Sequence, residues 1–274
     1  MLVATVLALA SAGLHAAWNL VAKRSADRFV ALWGQFAAAG LIGAAVLAVT
    51  GDLPWRGWAL AVLSGAIHTP YLVGLARAYD HGDFSVAYPL ARGGGALAAA
   101  IGGVVLLDDE LGVPAALAIT TTVAGMSLLS IGARRQQVVM ALFVAITIGA
   151  YTTVDSHASR SIDSPTYVCA SFVMSALGLS AYGVATRRLN ALRTSAATAW
   201  RQYAVAGAMS VVAYTFVLLA VRRAPVGYVA ALRESSVLLA VVLGWRYLDE
   251  GRIVMRTTAA GLITAGLALL VVTG

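Results

Sequence analysis

Ten apolar stretches, each close to twenty residues long, occupy nearly the whole chain and leave little between them. A helix needs about 20 predominantly apolar residues to cross a hydrocarbon layer roughly 30 Å thick. The stretches fall at 2–22, 29–49, 57–78, 85–107, 113–132, 138–157, 165–186, 199–220, 226–247 and 254–273. Short polar punctuation separates them, such as SADR, GDLP, YDHGD, DDEL, RRQQ and DEGR. Ten spans of about 20 residues consume about 200 of the chain's 274, so the loops are short and no extramembrane domain fits. Composition agrees, because only 11% of the residues are charged, whereas a soluble domain keeps about a quarter charged. The expected class is an all-α integral membrane protein of about ten transmembrane helices.

The sequence excludes several chemistries. A single cysteine, Cys169, permits no internal disulfide and no thiolate metal cluster. The glycines at 93–95 lack the following Lys-Ser/Thr of a phosphate-binding loop. No HExxH, paired CxxC or nucleophile elbow is present, and the consecutive acids Asp108, Asp109 and Glu110 read as a solvated turn rather than a metal site. No metal or cofactor is expected. The first stretch has its basic residues after it (Lys23, Arg24), which suits a retained helix rather than a cleaved leader.

Basic residues are unevenly placed. Thirteen lie in loops after odd-numbered spans or at the adjacent helix ends, among them Lys23, Arg24, Arg134, Arg135, Arg187 and Arg188. Four, namely Arg56, Arg160, Arg222 and Arg223, lie after even-numbered spans. The richer side belongs in the cytoplasm of a bacterial-type inner membrane, which puts both termini outside. The net charge of +7 is then accounted for by anionic headgroups and calls for no nucleic-acid partner.

The chain also carries an internal echo. At an offset of 141, Arg92, Gly103, Asp108 and Asp109 fall on Arg233, Gly244, Asp249 and Glu250. Earlier in each half an offset of 136 sets His15, Asn19, Arg24 and Ser25 on Tyr151, Asp155, Arg160 and Ser161. The expected division is residues 1–135 and 136–274, two copies of five helices. Because five is odd, the second copy enters the membrane from the opposite side. Inverted repeats of this kind place a binding site near the midplane and support alternating access.

The stretch YDHGDFSVAYPLARGGGALAAAIGGVVLLDDEL, its counterpart AVRRAPVGYVAALRESSVLLAVVLGWRYLDEG and the opening HAAWNLVAK resemble EamA-type transporters of the drug/metabolite transporter superfamily. The sequence departs from that pattern where Asp108, Asp109 and Glu110 stand in place of the usual Gly-Glu after the fourth helix. The resemblance implies a five-plus-five inverted-repeat fold that moves a small solute.

An ionisable group at bilayer depth usually faces the bundle interior and a partner or cavity. Arg92 and Arg233 sit equivalently in the fourth and ninth spans, and a guanidinium fork binds carboxylate or phosphonate bidentately. Pro89 and Gly93–Gly95 around Arg92 ease local unwinding and close helix approach. Glu234 projects about 100° from Arg233, so one of the two faces elsewhere. Glu234 and Asp155 are the candidate proton carriers or charge partners, and Asp155 shares a face with Tyr151. His15, Trp18, Asn19 and Lys23 form a stripe on the first span, with Lys23 expected to reach the interface. Ser85, Tyr88 and Arg92 share another face, as do His68 and Tyr71, with His68 read as structural. The expected substrate-binding set is therefore His15, Trp18, Asn19, Tyr88, Arg92, Tyr151 and Arg233.

The function expected is secondary transport, as exporter or exchanger, of a small polar or zwitterionic metabolite such as an amino acid or phosphonate-like compound. A substrate or proton gradient would drive it, and membrane lipid would be its other partner. A membrane-embedded enzyme on a lipid-linked substrate would need converging acid, base and nucleophile, which the scattered polar groups do not supply. A flippase for a lipid or polyprenyl carrier would use the same fold.

Overall fold

The computed structural model describes residues 2–50, 53–107, 113–223, 229 and 232–273. Ten helices run through them, and no strand is present among the described residues. They are α1 (Leu2–Arg24), α2 (Arg28–Thr50), α3 (Trp55–Asp80), α4 (Phe84–Leu107), α5 (Val113–Ser130), α6 (Arg135–Ser161), α7 (Ser164–Ala185), α8 (Leu189–Val221), α9 (Ser235–Leu248) and α10 (Ile253–Thr273). Hydrocarbon offers the backbone no hydrogen-bond partner, so apolar sequence that crosses it coils into helices that satisfy themselves. Six helices, α1, α2, α3, α6, α7 and α8, are long and apolar enough to span. Shorter apolar segments follow at Leu117–Ser130, Ser235–Leu248 and Ile253–Leu269.

Helix ends are fixed by the polar punctuation. Asp27 accepts from the Val30 amide at the start of α2. Asp163 caps α7 through the Thr166 amide, with a proline in the first turn. Lys23, half-buried at the end of α1, has partners of its own. Its ammonium donates to the carbonyls of Tyr79 and Gly82 at the end of α3, where cations complement the helix dipole.

Two helices differ from the sequence expectation. α8 begins ten residues early, at Leu189, and breaks its helical geometry at Ala199 (φ −116°, ψ 15°), where the eighth span was expected to begin. The ninth span, expected at 226–247, is interrupted for one residue: Val229, Leu232 and Arg233 are helical, α9 runs on from Ser235, and 224–228 and 230–231 lie outside the described residues. Glu234 forms a turn next to the helical Leu232 and Arg233, and the Ser235 hydroxyl takes the Leu232 carbonyl at 2.6 Å. A serine hydroxyl competing for backbone groups beside two charged residues is a sufficient local cause of the break. α4, by contrast, runs unbroken through Pro89 and Gly93–Gly95. The unwinding expected around Arg92 is therefore not found there, and at its counterpart one turn residue with right-handed helical angles, Glu234, separates the helical Arg233 from Ser235. What the glycines of α4 provide is close approach: a Cβ on Gly93 would stand 2.5 Å from Ile263 of α10, and one on Gly95 would stand 2.5 Å from Ile148 of α6. The acidic run at 108–110 lies outside the described residues.

The helix pairs in contact form a list that is nearly unchanged when the first five helices are exchanged for the last five. α1 packs on α8 as α3 does on α6, α2 on α8 as α3 does on α7, and α4 on α6 as α1 does on α9. α2 meets α7, α4 meets α9, and α5 meets α10. At the α5–α10 seam a Cβ on Gly125 would meet the Ala259 carbonyl (2.7 Å) and Ile263, while one on Gly266 would meet the Ala118 carbonyl (2.8 Å) and Thr122. These are the same contacts displaced by 141 residues, since 266 − 125, 259 − 118 and 263 − 122 are equal. The seam is thus self-complementary in the manner of a two-fold interface.

Candidate functional site

At the middle of the bundle α4 faces the start of α9. Arg92 donates through Nη2 to Glu234 Oε1 at 2.8 Å, and both side chains are buried, at 8% and 3% exposure. Tyr88, one turn earlier, donates to the Ser236 hydroxyl at 3.2 Å. Ser85, Tyr88 and Arg92 therefore do share a face, and that face is turned toward α9 and the loop beyond it. Arg233 is also buried, yet among the described residues no acid lies within ion-pair distance of it and its Nε has no hydrogen-bond partner. The second oxygen of Glu234, Oε2, is likewise unpartnered. Two guanidiniums thus stand against one carboxylate, and their charges reach His15 and the rings of Tyr71 and Tyr151.

Beside this charge cluster lies a small cavity of about 30 Å³, walled by α1, α2, α3, α6, α7 and α8. From α1 come His15 and Trp18, and the indole Nε1 and imidazole Nδ1 both lack a hydrogen-bond partner among the described residues. The remaining aromatic wall is Phe36, His68, Tyr71, Tyr151, Phe172 and Tyr214, with Ser171, Ser175 and Ser210 between them. These six rings touch in series. Tyr71 lies 5.4 Å from Tyr151, which stacks on His68 at 4.2 Å; His68 is 6.2 Å from Phe36, Phe36 is 5.3 Å from Phe172, and Phe172 is 6.1 Å from Tyr214.

The expected site residues separate accordingly. His15, Trp18 and Tyr151 line the cavity. Arg92, Arg233 and Glu234 form the charge cluster beside it. Asn19 is turned away: its amide donates to the His15 carbonyl and its oxygen accepts from Tyr79 at 2.7 Å. Tyr88 serves the α4–α9 contact rather than the cavity. Asp155 is no exposed helix end. It is buried at 1% exposure and both its oxygens accept from phenols, Tyr167 at 2.6 Å and Tyr214. Asn19 and Asp155, offset partners in the sequence, thus hold tyrosines of α3 and α8 in like manner.

Phe36, Phe172 and Tyr214 were not singled out from the sequence. The offset of 136 pairs Phe36 with Phe172, so extending the alignment from α1 and α6 into α2 and α7 would have found both. A second cluster was missed outright. Glu250, in the loop after α9, accepts the Phe84 amide at 2.5 Å, the Ser85 amide at 2.8 Å and the Ser85 hydroxyl. Arg256 of α10 ties Glu250, Ser85 and Asp83 together. Glu250 and Arg256 are each 7% exposed. A carboxylate seated on the free amides of a helix start is held by both hydrogen bonds and the dipole. Among the described residues no group of His, Cys, Asp and Glu is arranged to hold a metal ion.

A model of the EamA-like transporter family matches residues 135–272, half of the chain, from the first residues of α6 to the end of α10. The chain belongs to the EamA-like transporter family. This places it in the drug/metabolite transporter superfamily, as a multi-pass membrane transporter whose substrate is a small molecule. No curated protein matches it. A solved structure described as "Crystal structure of protein" is similar over 97% of this chain and 95% of its own, with a TM-score of 0.58 at 19% identity. That likeness is one of fold. Within the EamA-like frame, the ring-lined cavity and the adjoining arginines are the candidate transport site.

Proposed function

We propose that this EamA-like protein is a secondary transporter that carries a small anionic or zwitterionic metabolite, bearing a carboxylate or phosphonate, by alternating access. The observation that supports the reading is the charge imbalance beside the cavity: Arg92 and Arg233 share a buried site with Glu234 alone among the described residues. A buried cation without a partner is costly, and a substrate anion supplies one. The Trp18 indole nitrogen, unpartnered on a residue that lines the cavity, is a further group for it. Arg233 is the primary ligand in this reading, because Arg92 is already engaged. Glu234, with one oxygen free, is the proton carrier of choice over Asp155, whose two oxygens are both taken.

The two five-helix units, 1–135 and 136–274, are the bodies that rock, a division supported by the exchangeable packing and by a family match that begins with α6. The protein resides in a bacterial-type inner membrane with the basic-rich loops in the cytoplasm, following the charge bias. Uptake of radiolabelled small carboxylates into proteoliposomes under imposed substrate and proton gradients tests the proposal. Saturable uptake that Arg233→Gln abolishes is expected. Protein that moves no anion or zwitterion under any gradient overturns it.

A further inference from the structure

Resting on that reading, the structure assigns a second half to the substrate: we infer that the ring belt is a subsite for an N-methylated ammonium, so that the cargo is a zwitterion with a methylated amine at one end and an anion at the other. The belt of Tyr71, Tyr151, His68, Phe36, Phe172 and Tyr214 is contributed by five helices and lines the cavity, with no acidic side chain among the lining residues. Asp155, whose charge reaches His68 and Tyr151, is withheld by two phenols. A primary ammonium brings three N–H donors that require acceptors. The wall offers those donors no carboxylate, only the hydroxyls of Ser171, Ser175 and Ser210, of which Ser210 already accepts from Gln35. A methylated ammonium brings fewer donors, spreads its charge over methyl surface, and is satisfied by the faces of aromatic rings.

The same geometry excludes a bare cation. Arg233, buried without an acidic partner among the described residues, disfavours a lone cation in the same site, so the cation is expected to carry its own anion. Trp18 marks the junction of the two ends: it is 3% exposed, lines the cavity and leaves its Nε1 donor without a partner. A cavity of about 30 Å³ holds little more than water, so the belt parts to admit the ligand and closes on it.

Binding to the purified full-length protein in nanodiscs tests this, by calorimetry on two series. One runs glycine, sarcosine, dimethylglycine and glycine betaine; the other compares 4-aminobutyrate with its trimethylammonium derivative. Choline serves as the control without an anion. Affinity should rise by about tenfold from the unmethylated to the fully methylated member in at least one series, and choline should not bind. Tyr151→Leu should flatten the rise, whereas Tyr151→Phe, which keeps the ring, should preserve it. Arg233→Gln should weaken every member alike. Affinity that falls with each added methyl overturns the subsite while leaving the zwitterion reading standing. Choline binding as tightly as glycine betaine overturns the two-ended ligand, and no binding by any member overturns subsite and zwitterion reading together.

Discussion

Arg92 and Arg233 stand at equivalent positions in the two halves, yet they are not equivalent residues. Arg92 is half of a buried ion pair with Glu234, and Arg233 is the charge left over. Removing one partner of a buried pair strands the other, at a cost on the order of 3–5 kcal/mol in soluble proteins. Arg92→Ala is therefore expected to lower the thermal midpoint of the detergent-solubilised protein by strain on Glu234, besides affecting transport. The double variant Arg92→Leu/Glu234→Leu should recover most of that loss in the same melting assay, since two matched apolar groups replace the pair. Failure of the double variant to recover stability would show that the pair is not the source of the loss. Arg233→Gln, which removes a buried charge without an acidic partner, should raise the midpoint above that of the wild type. The sequence made the rarity of these charges at bilayer depth plain. It could not reveal which arginine Glu234 would choose, because that is set by how α4 packs against α9.

Element boundaries were legible where composition changes abruptly and illegible where polar side chains intervene within an apolar run. The ninth span reads as one continuous stretch from 226, but at Glu234 a single turn residue separates the helical Arg233 from Ser235, whose hydroxyl donates to the Leu232 carbonyl. Glu250 escaped notice for the opposite reason. It sits in an acidic loop that looks solvated, and only folding brings it to the amides of α4. Glu250→Gln keeps an oxygen acceptor and loses the charge that favours a helix start and holds Arg256. We expect the start of α4 to open more often in that variant. With Cys169→Ala as background, a cysteine at Val86 should then react severalfold faster with a membrane-impermeant maleimide; an unchanged rate would remove Glu250 from closure of this end. The glycines have a simpler expectation. Gly125→Leu drives a side chain into the Ala259 carbonyl, where backbone cannot yield, and should abolish monodisperse protein in size-exclusion chromatography.

For the whole molecule, the ten apolar stretches sufficed for the class, and the offset of 141 recurs in the packing of α5 on α10. It does so because the same offset that aligns Gly125 with Gly266 also aligns the residues each one meets. The cavity wall was less accessible, because six helices converge on it and each contributes only one to three residues. No local window of sequence contains such a surface. Orientation rests on charge bias alone, and alkaline phosphatase fused after residue 274 should be active outside the cytoplasm, whereas green fluorescent protein fused there should remain dark. The reverse pattern would invert the assignment of faces and leave the site unchanged.

The cap that Glu250 places on α4 also has a consequence in time. The amides of Phe84 and Ser85 receive their partner from 166 and 165 residues later in the chain. During synthesis α4 is therefore complete long before its start can be sealed, and those donors must rely on water at the membrane surface until the loop after α9 emerges. The first half of the protein finishes folding only when the second half is almost made, so a ribosome that stops short of residue 250 leaves an α4 that has been made but not fastened.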